Sequence, residues 1–334
     1  MEKFPKDTES LTSGWHYLDF RDGKHDASYI EWKYFNFKQK DIAGYIVYFI
    51  LDPERKTKVG GARVLARVFH RQKFSGSIRE IPIDKVQIDA LSASIDMDGA
   101  KILEKDQHNY EISGKANNLS WDLHYEQRVP AIDGFKDVNC GLMRWEKANW
   151  LVKMPRARVK GIIKTDNKTI KIDTVGYSDT NWGEFLPFLS RYEWGQYNDG
   201  KISFIFGILY KLLKTQNTYF YLIINNEVVR LESPKFSIKH KKWGTSGNNG
   251  IRVPLESKFI ARDKQFTVRF TSKLINSDLM GLKISGLLPK SVVSEQIVEY
   301  KGVIEKNGKV IHEFDGLGFQ EWSTKTYKEI PIIF

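Results

Sequence analysis

The chain has a single cysteine, Cys140, in 334 residues. That excludes an intramolecular disulfide and a thiolate-based zinc site, and it suits a reducing compartment, so the cytoplasm is the expected location. A chain of this length buries enough surface to do without covalent staples, and two domains are expected. Met1-Glu2-Lys3-Phe4 does not open a basic segment leading into an apolar run, as a secretory leader would. No stretch approaches the roughly 20 apolar residues of a membrane-spanning helix. Helical spacing sustained over about ten residues is also missing.

The standard reagents of enzyme active sites are equally scarce. The sequence has no G-x-x-x-x-G-K-[ST] phosphate loop, no G-x-G-x-x-G dinucleotide turn, no G-x-S-x-G nucleophile elbow and no H-E-x-x-H. Its seven histidines, at 16, 25, 70, 108, 124, 240 and 312, include no pair at metal-ligand spacing. Neither a cofactor nor a metal is expected. Net charge is +11, from 52 Lys and Arg against 41 Asp and Glu. The excess is mostly scattered lysine, as in Arg158-Val159-Lys160. No zinc-finger, helix-turn-helix or RNA-recognition signature accompanies it, so no nucleic-acid partner is expected. A membrane-surface role would need a contiguous basic face, and the densest cluster, His240-Lys241-Lys242-Trp243, is short.

What the sequence does hold is period-two alternation, the mark of strands with one face buried. Strands are predicted over 45–51, 62–69, 121–127, 159–165 and 169–175. Asp166-Asn167, Asn225-Asn226 and Asn307-Gly308 are pairs that tolerate positive φ and so close hairpins. Ile202 to Leu209 is apolar on successive residues, as expected of a strand covered on both faces. The Gly- and Asn-rich stretch 244–250 reads as a loop. Residues 184–200, with Pro187 and Asn198-Asp199-Gly200, break the strand pattern and are the predicted junction between an N-terminal domain, 1–190, and a C-terminal domain, 191–334. No internal repeat of 20 to 50 residues is evident.

Aromatic residues punctuated by carboxylates form three groups: Trp15-His16-Tyr17, Glu31-Trp32-Lys33-Tyr34-Phe35, and 177–194. In the second, Glu31 and Lys33 share one strand face while Trp32 and Tyr34 share the other, and both aromatics also read as plain core residues. The third runs Gly176-Tyr177-Ser178-Asp179-Thr180-Asn181-Trp182-Gly183-Glu184 and then Tyr192-Glu193-Trp194-Gly195. A strand ending in Gly-Tyr, followed by a polar turn, would put hydrogen-bonding groups at the mouth of an apolar barrel. The alternative is a capped turn in which Asp179 bonds backbone amides and Trp182 plugs the barrel end.

These motifs, with Gly316-x-Gly318-Phe319-x-Glu321 near the C-terminus, resemble in kind and order the lipocalin-like AttH and carotenoid 1,2-hydratase family. That family also takes in kievitone hydratase and the fungal Diels-Alderases of decalin biosynthesis, and the resemblance spans about residues 14 to 325. It implies two calycin-like antiparallel β domains with an apolar cavity, and cofactor-free chemistry on an apolar unsaturated substrate. Family motifs more often carry Trp and His where this chain has Lys33 and Ser178; without a His beside Asp179 a hydratase loses a proton shuttle, which favours a shape-driven cyclisation. The implied catalytic candidates are the carboxyls of Asp179, Glu31 and Glu193 and the Tyr177 hydroxyl. Trp32, Tyr34, Asn181, Trp182, Trp194, His16 and Glu321 are the substrate-binding candidates. A cyclase or isomerase, or else a hydratase, is the first reading, and a lipocalin-type carrier that binds a lipid without transforming it is the second.

Overall fold

The computed structural model describes residues 13–16, 29–51, 61–70, 73–89, 91–139, 147–166, 168–184, 191–210, 216–231, 235–246, 250–282 and 290–326. They are almost entirely β, apart from one turn of 3-10 helix at Ile83–Lys85. Among them no helix is long and apolar enough to cross a membrane.

Two antiparallel sheets carry the chain. The N-terminal sheet contains β1 Tyr29–Gln39, β2 Ile42–Leu51, β3 Gly61–His70, β4 Lys73–Ile81, β5 Val86–Ile88, β6 Ile95–Met97, β7 Ala100–Asp106, β8 Asn109–Ala116, β9 Leu119–Gln127, β10 Ile132–Asn139, β11 Lys147–Thr165 and β12 Lys168–Glu184. Its order is β4-β3-β2-β1-β12-β11-β9-β8-β7-β6-β5, with β10 also paired to β11. The C-terminal sheet contains β13 Arg191–Asn198, β14 Ile202–Tyr210, β15 Gln216–Ile224, β16 Glu227–Arg230, β17 Lys235–Ser246, β18 Ile251–Arg262, β19 Phe266–Leu282, β20 Lys290–Lys306 and β21 Lys309–Thr326, in the order β16-β15-β14-β13-β21-β20-β19-β18-β17. Both sheets are meanders whose first and last strands pair, β1 with β12 and β13 with β21, and each curls into a lipocalin-like barrel left open between two edge strands.

The turn chemistry explains the connections. Asn225 and Asn226 both hold positive φ, 51° and 66°, as do Asn307 and Gly308, 51° and 78°, the geometry that matches the right-handed twist of a hairpin. Thr165 pairs with Lys168 across the third predicted hairpin, whose turn residue Asn167 lies outside the described residues. Cys140 and Pro187 also lie outside them.

Three expectations are corrected. The motif 176–183 is not a turn after a strand: Val175 to Glu184 pairs along its whole length with β1, so the strand simply continues. Gly176 is needed there because a Cβ would sit 2.4 Å from the Asn36 carbonyl oxygen and 2.5 Å from Val159 Cγ2. Within the predicted junction, Arg191–Asn198 is strand β13; the N-terminal sheet ends at Glu184 and the other begins at Arg191. Of the predicted loop 244–250, residues 244–246 belong to β17, and 247–249 lie outside the described residues.

Each barrel has its own core, and a third apolar cluster lies between the sheets. The N-terminal core includes Phe35, Tyr48, Trp121 and Ile163; the C-terminal one is built on Phe204, Phe206, Phe259, Phe270 and Tyr300. The third joins Tyr34, Tyr45, Val47, Trp150 and Tyr177 from the first sheet to Trp194, Ile205, Tyr221, Ile297 and Phe319 from the second. This seam explains why β14 is apolar on both faces: Phe204 and Phe206 point into the barrel and Ile205 into the seam. Each fully buried side chain of this size contributes about 1.5–3 kcal/mol.

Polar ties close the seam on two sides. Arg67 Nε donates to Asp278 Oδ2 at 2.6 Å, and the Tyr45 hydroxyl donates to the same oxygen at 3.2 Å. Arg156, buried, donates to Ser203 Oγ at 3.0 Å and Asn226 Oδ1 at 2.8 Å. Removing the shared acceptor leaves two donors without a partner, so Asp278→Ala is expected to cost about 1–3 kcal/mol in urea unfolding. A variant within 0.5 kcal/mol of the parent, roughly the scatter of neutral surface changes, would show that the tie does not hold the sheets together.

Candidate active site in the seam between the sheets

Strand alternation decides what reaches the seam. Residues directly opposite in an antiparallel pair share a face. In the β1–β12 ladder Tyr34 opposes Asp179, Trp32 opposes Asn181 and Asn36 opposes Tyr177, and these face the seam. Glu31 opposes Trp182 and Lys33 opposes Thr180 on the other face, inside the N-terminal barrel. In the second sheet Trp194 opposes Glu321, and Glu321 in turn opposes Glu295 on β20, so one row of three strands carries an aromatic ring and two carboxyls. Trp150 on β11 opposes Asn181 and joins the seam.

Three carboxyl groups therefore meet in an aromatic environment. Asp179 Oδ2 accepts from the Tyr177 hydroxyl at 2.7 Å and from Trp150 Nε1 at 2.9 Å, and Asn181 Nδ2 reaches Oδ1 at 3.4 Å. Burial raises the Asp179 carboxyl from 3.8 to about 7, although the bonds from Tyr177 and Trp150 favour the charged form. The Tyr34 hydroxyl donates to Glu295 Oε1 at 2.8 Å across the seam. Burial, then the neighbouring Glu321 carboxyl, holds Glu295 well above the usual carboxylate range, and burial raises Glu321 as well. Two carboxyls in contact cannot both ionise in such a place, so they share a proton. The Tyr192 hydroxyl bonds Glu321.

The rings enclose this group. Trp194 lies 5.6 Å from Tyr34 and 5.5 Å from Tyr177 between centroids, and Trp150 lies 5.7 Å from Phe135. Asp179, Glu295, Tyr34 and Tyr177 are buried, whereas Trp32, Phe135, Asn181, Tyr192, Tyr219 and Glu321 are half-buried. The arrangement can hold an apolar framework against aromatic faces and present it with a neutral acid near neutral pH.

Of the residues singled out by sequence, Asp179, Tyr177, Tyr34, Trp32, Asn181, Trp194 and Glu321 are brought together here. Glu31, His16 and Trp182 are not. His16 donates its backbone N–H to Glu31 Oε2 at 3.0 Å, places Nδ1 3.1 Å from Oε1 and stacks on Trp182 at 3.7 Å, while the Tyr29 hydroxyl donates to Oε2 at 2.9 Å. Glu193 is inside the other barrel, bonded by the Tyr210 hydroxyl and 3.4 Å from His240 Nε2. The two sets are equivalent: Glu31 opposes Trp182 in the first ladder as Glu193 opposes Trp322 in the second. Gly176 to Trp182 and Gly316 to Trp322 repeat the same spacing, a similarity too sparse to show as a repeat in one sequence. Glu295, Trp150 and Tyr192 were missed. Glu295 sits in Val292-Val293-Ser294-Glu295-Gln296, where a carboxyl beside a hairpin strand reads as solvent-facing. Among the described residues, no three His, Cys, Asp or Glu side chains are grouped to hold a metal ion.

The raised Asp179 fixes a sign for the pH dependence of folding. The folded state keeps the proton that the unfolded chain releases near its ordinary value, so stability falls as pH rises from about 4 to about 7 and is level above. A rise from 3.8 to about 7 corresponds to at most about 4 kcal/mol. Asp179→Asn carries no such loss. Its urea midpoint relative to the parent should increase between pH 4 and pH 8, and a difference that stays constant over that range would contradict the buried neutral carboxyl.

No family model matches the chain, and no curated protein matches it in sequence. Solved structures do. An AttH protein from Nitrosomonas europaea superposes with a TM-score of 0.65 at 14% identity, covering 96% of this chain and 99% of that one. CghA, solved with Sch210972, gives 0.65 at 10% identity over 90% and 89% of the two chains. Kievitone hydratase from Nectria haematococca gives 0.60 at 14% identity over 97% and 99%. The fold implied by the sequence motifs is thus the observed one: the chain has the two-sheet, lipocalin-like architecture of the AttH, CghA and kievitone hydratase structures.

Proposed function

We propose that the chain is an enzyme that binds an apolar, unsaturated small molecule, a polyketide, polyene or isoprenoid, in the seam and promotes its cyclisation, isomerisation or hydration with its own side chains. The observation that carries this reading is Asp179: a buried carboxyl, raised to about 7 and oriented by Tyr177 and Trp150, faces aromatic walls from both sheets. Near neutral pH it is poised to give up or accept a proton, the condition under which general acid–base catalysis works best. Tyr34, Tyr177 and Asn181 supply neutral hydrogen bonds, and the faces of Trp32, Trp150 and Trp194 hold the substrate in a reactive conformer. Such orientation lowers an intramolecular barrier by up to roughly 7–11 kcal/mol. Kievitone hydratase is, by name, a hydratase, and CghA was solved with a small molecule, which accords with chemistry on this fold. A carrier would be served by an apolar seam alone; two buried carboxyls, Asp179 and Glu295, with no basic side chain bonded to them among the described residues, are costly and gain nothing for simple storage.

The test compares two carboxyls. Asp179→Asn should retain the fold and much of the ligand affinity while slowing turnover by about 10²–10⁴-fold. Glu31→Gln, altered inside the N-terminal barrel, should change the melting temperature and leave kcat within a few-fold. Equal turnover of Asp179→Asn and parent would remove Asp179 from the mechanism, and a ligand bound and released unchanged by the parent would establish the carrier.

A further inference from the structure

An open cleft where the two halves meet shares no residue with the carboxyl cluster of the seam. Its volume is about 480 Å³, and it is lined by Arg128, Arg156, Arg158 and Asp173 from the first half and by Gly200 and Asn226 from the second. Backbone pairing brings the arginines together. Arg158 opposes Glu126 on β9, Ala157 opposes Gln127, and the Arg128 N–H donates to the Arg156 carbonyl at 2.9 Å. Arg128 and Arg156 therefore stand side by side across the ladder, an unfavourable juxtaposition of like charges. Arg128 Nη2 bonds Glu126 at 2.6 Å and Arg158 Nε bonds Asp173 at 3.4 Å, both in largely exposed pairs. Arg156 is different: it is 4% exposed and directs its donors at neutral oxygens, Ser203 Oγ, Asn226 Oδ1 and the Lys201 and Ile223 carbonyls. Asp199, the carboxylate whose charge acts on Arg156, is turned elsewhere, accepting from the Lys201 and Ile202 N–H groups at 2.8 Å and lying 3.3 Å from His312 Nε2. Counting Glu126 and Asp173 against the three arginines, one positive charge remains uncompensated, and it is the buried one. A buried guanidinium without a bonded carboxylate is costly unless an anion lies beside it.

We infer that this cleft binds a phosphate monoester: a small organic molecule whose phosphoryl group is held by Arg128, Arg156 and Arg158 and whose remainder lies toward Gly200 and Asn226. A phosphoryl group carries about −1.5 to −2 charge near neutral pH and presents three strong acceptor oxygens. That head suits guanidinium forks offered from three positions, whereas a carboxylate has only two oxygens in one plane. The exposed pairs with Glu126 and Asp173 contribute little, so Arg128 and Arg158 turn to an incoming anion at small cost. The cleft also falls within the roughly 300–1,000 Å³ usual for small-molecule sites, far more than a free phosphate ion needs. Because both halves of the chain line it, an occupant ties them together. The site is independent of the chemistry proposed for the seam.

Calorimetric titration of the whole chain with phenyl phosphate, inorganic phosphate and benzoate tests the assignment, at about pH 7.5 where the phosphoryl group is mostly dianionic. Phenyl phosphate is expected to bind at least about 10-fold more tightly than benzoate and to raise the melting temperature. The double change Arg128→Gln with Arg158→Gln should weaken it by at least about 10-fold, since two of the three forks are lost. Lys239→Gln with Lys258→Gln removes the same charge from an exposed, directly opposed pair on β17 and β18, and should leave the affinity within about 2-fold. That control separates a built site from the diffuse attraction of a chain with net charge +11. Benzoate binding as tightly as phenyl phosphate, equal losses in the two double variants, or no binding of phenyl phosphate overturns the inference. Inorganic phosphate binding as tightly as phenyl phosphate overturns its organic part and leaves a site for the free ion alone.

Discussion

The structure depends on strands that are buried on both faces. In β1, β12, β13 and β21 successive side chains point alternately into a barrel and into the seam, and nothing but this period of two separates the polar groups of each. Glu31 and Tyr34 lie three residues apart, yet one bonds His16 inside the N-terminal barrel and the other bonds Glu295 on the opposite sheet. A slip of one residue in the β1–β12 register would exchange Asp179 for Thr180 in the seam and send the carboxyl into the barrel. Register is held along ten consecutive pairs from Tyr29 opposite Glu184 to Lys38 opposite Val175.

The two halves are variations on one plan, and the differences between them make the seam asymmetric. Each barrel keeps a buried glutamate with a histidine, a tyrosine and a tryptophan: Glu31 with His16, Tyr29 and Trp182, and Glu193 with His240, Tyr210 and Trp322. The ladder partners facing the seam diverge instead. Trp32 is opposite Asn181, whereas Trp194 is opposite Glu321, and Asp179 has Phe319 at the equivalent position. The first half thus supplies an acid oriented by Trp150 and Tyr177, and the second supplies the proton-sharing pair.

Much of the fold could be read in the sequence because its determinants are local. Asn225-Asn226 and Asn307-Gly308 tolerate the positive φ that a tight hairpin turn needs and hold it here, and the alternation of Glu31, Trp32, Lys33 and Tyr34 gives the two faces of β1 directly. The motif around Asp179 identified the right strand but was misread as a turn, since polar residues in a strand look like a loop until the neighbours on both sides are known. Glu295 carried no local signal at all: its burial comes from Tyr34, hundreds of residues away, and from the whole N-terminal sheet lying over it. Glu193 and Glu31 illustrate the converse, since aromatic neighbours in sequence placed them beside a buried cluster but not the same one.

The central claim is that ligand chemistry takes place between the barrels and not within them. Eight of the nine tryptophans make this directly measurable, Trp145 lying outside the described residues: Trp32, Trp150 and Trp194 belong to the seam, while Trp15, Trp121 and Trp182 lie in the N-terminal barrel and Trp243 and Trp322 at the end of the other. Fluorine NMR of protein labelled with 5-fluorotryptophan, assigned by single Trp→Phe changes and recorded on titration with an apolar ligand such as decanol, reads every position at once. The account predicts that the resonances of Trp32, Trp150 and Trp194 shift and those of the barrel tryptophans stay. Shifts confined to Trp121 and Trp182, or to Trp243 and Trp322, would put the ligand inside a barrel and contradict it.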